Sequence, residues 1–134
     1  MTFEIVDQIP ATETNIKKVV EAVSAVTGVR ESDIMSTSRL RDIVFARNMC
    51  FSICRMALGM TFMSNGNYFN KHHATILHAV KTNDLDLKSN VAYRSRFETI
   101  LSQLGVRFAE QVTHGDVIDI IVTDMFRKEP IVID

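Results

Sequence analysis

A chain of 134 residues, 46% hydrophobic and 23% charged, has the size and composition of one globular domain with room for a short appendage. Its opening, M-T-F-E-I-V-D-Q-I-P, carries no basic start and no long apolar run, and no later stretch is apolar enough to span a bilayer. Neither a signal peptide nor a membrane contact is therefore expected, and the chain reads as soluble and intracellular. The net charge of -1 conceals a division along the chain. Residues 39–81 hold six basic side chains against Asp42 alone, while the segments on either side are each net acidic. A basic centre is what a phosphate-facing surface requires.

Residues 1–13 read as a tail or short strand, with weak alternation at Phe3 and Ile5 ended by Pro10. From about Thr14 the pattern turns helical, with Ile16, Val19, Val20, Val23 and Val26 on one face, and Gly28 is placed to end the helix. Residues 29–38 read as a connecting loop, in which Ser36 or Ser38 can cap the next helix.

The helix expected over residues 39–58 is apolar around most of its circumference. Arg41, Asn48, Ser52 and Arg55 fall on one narrow line of it. That stripe either faces a phosphate backbone or is a solvated strip on an otherwise buried helix. Cys50 and Cys54 sit four apart in the same helix and read as small buried side chains in a reducing cytoplasm; the spacings of a zinc site are absent.

Thr61 is a credible N-cap for a short helix ending near Phe69, and Asn70 makes the turn that follows. A second helix then opens with K-H-H-A-T, residues 71–75. Ile76, Leu77 and Val80 point inward, Lys71, Thr75, His78 and Thr82 lie on the opposite face, and His73 falls on the inward side by angle. Helix, tight turn and helix with a polar start form a helix-turn-helix pattern, whose second helix can enter a major groove. Tyr93, Phe97, Ile100, Leu101 and Leu104 mark a last amphipathic helix ended by Gly105. Residues 106–134 form a C-terminal appendage. V-R-F-A-E-Q-V and V-I-D-I-I-V around T-H-G-D favour a β-hairpin, with Ile131 to Ile133 as a third strand and a helix over residues 117–126 as the alternative.

Residues 15–104 resemble the C-terminal DNA-binding domain of the bacterial replication initiator DnaA. The resemblance rests on N-I-K-K-V-V, on D-I-M-S before Ser36, Arg39 and Arg41, and on A-R-N-M at residues 46–49. It rests above all on Gly66, Phe69, Lys71, His73, Thr75, Leu77, His78 and Ala79 in order. It implies a mainly α helix-turn-helix bundle over residues 14–105, with a small C-terminal β-hairpin as an appendage. It also implies double-stranded DNA as the partner, at a DnaA-box-like site. In that family the arginine matching Arg39 reaches into the minor groove. Residues matching Arg47, Asn48 and Arg55 touch backbone or bases, and those matching Lys71, His72, His73, Ala74 and Thr75 read the major groove. Arg41 from the polar stripe and Thr61 ahead of the turn complete the expected DNA-binding set.

The chain departs from the family pattern at four places. Two glycines before the basic residue shrink to Asn70, a usually apolar position is Asn65, a common aspartate is His72, and a threonine is Ala74. Aspartate only accepts hydrogen bonds whereas histidine can donate, so a changed base preference is expected at His72. No G-x-x-x-x-G-K-[ST] motif occurs, so no nucleotide is expected to bind and the ATPase module of a full initiator is missing. The chain is similar in this to stand-alone proteins of bacteria and their phages, and a role as replication accessory or regulator in a bacterial or phage-infected cell is expected.

Neither a metal, another cofactor nor catalysis is expected. His73 and His78 are about 140° apart on a helix with no carboxylate beside them, and no nucleophile motif is present. The competing reading is a structural or assembly protein that uses the helical scaffold and residues 106–134 for protein contacts, including self-association.

Overall fold

The computed structural model describes residues 2–111. The order is β1 (Thr2–Ile5), α1 (Glu13–Thr27), α2 (Glu31–Ile34), α3 (Arg41–Met56), α4 (Phe62–Phe69), α5 (His73–Ser89), α6 (Val91–Gln103) and β2 (Phe108–Gln111). The fold is mainly α, as expected, with one small antiparallel sheet.

Local chemistry sets most helix limits. The Thr12 side chain accepts the amide of Asn15 at the start of α1, and Gly28 closes it with a left-handed φ of 75°. Asn90 caps α6 by accepting the amide of Tyr93, and Thr61 caps α4 by accepting that of Ser64. α3, like the short α2, starts without such a cap. Its N-cap is Leu40, which makes no side-chain cap bond, so neither Ser36 nor Ser38 caps it. The two serines instead fold the preceding loop: Ser36 Oγ donates to the Asp33 carbonyl and accepts the Ser38 amide, and Ser38 Oγ accepts the Leu40 amide. The expected loop over residues 29–38 also contains a turn of helix, α2.

α3 lies at the centre, against α1, α2, α4 and α5, while α6 closes the far side against α1 and α5. Residues 46–54 of α3 are consequently buried without interruption. Phe51, Met49 and Ile53 meet Val19 and Val23 of α1, Phe69 of α4, Ile76 and Leu87 of α5, and Phe97, Ile100 and Leu101 of α6 in one core. Cys50 and Cys54 are buried there as free thiols; burial pushes both up, Cys54 to about 12, so neither ionises near neutral pH. Tyr93 donates its hydroxyl to Asn83, joining α6 to α5.

β1 pairs antiparallel with β2 in the register Thr2 to Gln111 through Ile5 to Phe108. Phe3 stacks on Phe108 with ring centroids 5.3 Å apart, and both Phe3 and Ile5 are buried. The strand expected in V-R-F-A-E-Q-V therefore finds its described partner at the N-terminal end of the chain. The other half of the expected hairpin, the third strand, the alternative helix over 117–126 and most of the expected association segment lie outside the described residues. No helix among the described residues is long and apolar enough to cross a membrane.

Candidate nucleic-acid interface

Three residues, 70–72, turn the chain between α4 and α5. Asn70 adopts the left-handed conformation, φ 56° and ψ 49°, which a short polar side chain tolerates better than most. The amides of Asn70 and Lys71 both donate to the Gly66 carbonyl, the second at 2.8 Å. A Cβ at Gly66 would collide with the Lys71 carbonyl oxygen, so the turn needs glycine there. Asn65, fully buried, donates its Nδ2 to the Phe51 carbonyl at 2.9 Å and pins α4 to α3. Its polarity, a departure from the family pattern, thus serves a helix-to-helix contact. One left-handed residue is sufficient for this turn.

α5 begins two residues later than the basic start of the motif, Lys71. His72 is its N-cap, with Nδ1 accepting the Ala74 amide at 3.1 Å. His72, His73, Ala74 and Thr75 are all exposed, so the wheel position that turned His73 inward does not hold. A side chain in the first turn projects past the helix end, beyond the layer that buries Ile76 and Ala79. Leu77, expected inside, is 36% exposed; the inner face runs instead through Ile76, Ala79, Asn83 and Leu87.

The arginines divide into two groups. Arg39 and Arg41 are exposed, Arg41 with its guanidinium 5.1 Å from the Phe45 ring. Leu40 between them is 69% exposed. Arg47 is 8% exposed and turned inward. Its Nε donates to the Ile34 carbonyl at 2.9 Å, and its two terminal nitrogens donate to Ser38 at 2.8 Å and Asp33 at 3.2 Å. The planar guanidinium fork suits three carbonyls of one loop. Arg55 is half-buried, donating to the Met60 carbonyl at 3.1 Å and covering Phe62 at 4.3 Å. Both therefore hold loops of the protein itself.

The polar stripe of α3 is corrected accordingly. Asn48 is 7% exposed and Ser52 0%, so the middle of the line is neither a phosphate-facing nor a solvated strip. Enclosure of α3 by four neighbouring helices is the cause. Ser52 Oγ has no hydrogen-bond partner among the described residues. Thr61 is exposed, its hydroxyl engaged with Ser64.

Lys71 ties the two exposed groups together. Its Nζ reaches the Ser36 carbonyl, 35 residues away, at 3.4 Å. Burial, and then the positive charge of Arg47, hold its ammonium below the ordinary lysine value, and an arriving anion would relieve the second effect. The loop bearing Arg39 is thus fixed at Asp33, Ile34 and Ser38 by α3 and at Ser36 by the turn that opens α5. Sequence reasoning did not foresee this loop clamp, because its bonds join residues distant in the chain. The one signal available was a chain of serines beside buried-type positions.

The family described as bacterial DnaA protein helix-turn-helix matches residues 16–82, half of the chain. The chain belongs to this DnaA family. Among curated relatives, the chromosomal replication initiator protein DnaA 2 of Protochlamydia amoebophila is 27% identical over 82 residues, covering 61% of this chain and 18% of the relative. DnaA 1 of the same organism is 28% identical over 103 residues, 77% and 21% of the two chains. DnaA of Campylobacter concisus is 29% identical over 91 residues, 67% and 21%. The chain spans about a fifth of the length of these relatives. The DnaA-matched stretch contains α2 to α4, the opening of α5 and every exposed residue from Arg39 to Thr75 discussed above, while α6 and the sheet lie beyond it.

Proposed function

We propose that this chain binds double-stranded DNA at a DnaA-box-like site and acts in replication as an accessory or regulator, in the cytoplasm of a bacterial or phage-infected cell. These 134 residues hold no nucleotide-binding motif of their own. One observation carries the reading: Arg47 holds the exposed Arg39 loop on α3, and Lys71 ties the same loop to the turn that opens α5. A rigid helix start and a rigid arginine loop on one surface suit simultaneous major- and minor-groove contact. The exposed first turn, His72 to Thr75, would carry base contacts, and Arg39 and Arg41 would supply electrostatic attraction. Arg47 and Arg55 would support these by holding loops from within, Asn48 is buried beside them in α3, and Thr61, exposed at the start of α4, would complete the surface.

The test is a titration on duplexes carrying an initiator-type box or a scrambled sequence, at two salt concentrations. Specific binding retains a preference for the box at the higher salt. Equal affinities that fall together with salt would refute the reading.

A further inference from the structure

The cap on α5 decides which nitrogen of His72 faces outward. Nδ1 accepts the Ala74 amide, so its lone pair is engaged and it carries no proton. The proton of the neutral ring then sits on Nε2, an assignment made from the hydrogen bond. Nε2 lies across Cε1 from Nδ1 and faces away from the amide that holds the ring. The ring of His73 packs against that of His72, centroids 4.2 Å apart and planes tilted by 31°, which steadies it from one side. His72 is exposed, so a fixed N–H donor stands at the tip of the helix.

We infer that His72 is a specificity-determining residue that donates Nε2–H to guanine in the major groove. The inference rests on the reading of α5 as the groove-entering helix. Guanine offers two neighbouring acceptors, N7 and O6, to such a donor. Adenine sets an amino donor beside its N7, thymine sets a methyl group beside O4, and cytosine offers an amino donor that repels the imidazole N–H. The disfavoured base is thus cytosine. A histidine free to choose its tautomer could serve either base; one committed as a cap cannot.

Two substitutions separate the cap from the outward atom. His72→Asp keeps an oxygen that caps the helix but presents only acceptors outward. His72→Asn caps through its carboxamide oxygen and leaves its NH2 donor outward. Wild type and both variants, as full chains, are titrated on an initiator-type box in which each base pair is replaced in turn by the other three. Wild type is expected to prefer guanine over cytosine at one position by about tenfold. His72→Asp is expected to reverse that preference at the same position and leave the others unchanged, and His72→Asn is expected to keep it. If all three bind the box specifically with one shared profile, His72 does not read a base and the inference fails alone. If wild type does not distinguish the box from a scrambled duplex, the DNA-reading role of α5 fails with it.

Discussion

The guanidinium of Arg47 and the carbonyl of Ser38 are 2.8 Å apart, which fixes the backbone immediately before Arg39. An arginine inside the domain therefore sets the position of an arginine outside it. Removing the inner one takes the guanidinium donor from the carbonyls of Ile34 and Ser38, and from that of Asp33, which keeps the Ser36 hydroxyl. Arg47→Met is expected to cost about 2–4 kcal/mol, read as a lower denaturant midpoint at unchanged slope. Arg47→Lys should recover little of this, because one ammonium cannot span three acceptors.

Exposed and inward arginines should also differ in salt dependence. Replacing Arg39 by alanine is expected to reduce the slope of log affinity against log salt by about one, as loss of a phosphate-neutralising charge does. Arg55→Met, at a guanidinium engaged with the Met60 carbonyl and the Phe62 ring, should leave the slope nearly intact. Equal slopes for both variants would show that burial does not sort these arginines.

The turn tolerates little change. Gly66→Ala drives a methyl group into the Lys71 carbonyl and is expected to destabilise the domain by about 1–3 kcal/mol, as overpacking does. Asn70→Val forces a β-branched residue into a left-handed conformation, at about 1–2 kcal/mol. Asn70→Gly should be nearly neutral. Thermal melts of the three variants rank them, and a neutral Gly66→Ala would contradict the close approach.

The sheet end of the domain should respond to acid. Asp7 accepts hydrogen bonds from the Arg107 side chain and from its backbone amide, and these, in that order, hold its carboxyl below the ordinary aspartate value. The folded value lies below the unfolded one, so the contact stabilises the fold above the usual aspartate range. That contribution is lost as pH falls through the folded value. Both side chains meet solvent, so the effect is small. An NMR titration of the Asp7 carboxyl should give a midpoint below about 3.9, and Arg107→Ala should return it toward that figure.

Local chemistry made much of this protein legible in its sequence. Thr61, Gly66, Asn70 and the apolar spacing on either side specify the helix-turn-helix, because caps and turns are hydrogen bonds between residues at most five apart. Gly28 and the valines of α1, and Tyr93 to Leu101 of α6, were legible for the same reason. The motif from Lys71 to Ala79 carried the family.

Tertiary structure alone decided the fate of the polar groups. Arg41, Asn48, Ser52 and Arg55 share one line on a helical wheel, yet the middle two are enclosed and the outer two are not. Which of them meets water depends on helices arriving from elsewhere in the chain. Arg47 finds its acceptors 9 to 14 residues away and Lys71 finds Ser36 across 35, distances over which residue type carries no directional information. The pairing of β1 with β2 brings residues at the two ends of the described chain together, and no local pattern encodes that choice of partner. Sequence by itself determined the elements and the motif; packing determined which charges face outward, since desolvation and hydrogen-bond partners exist only once the helices have met.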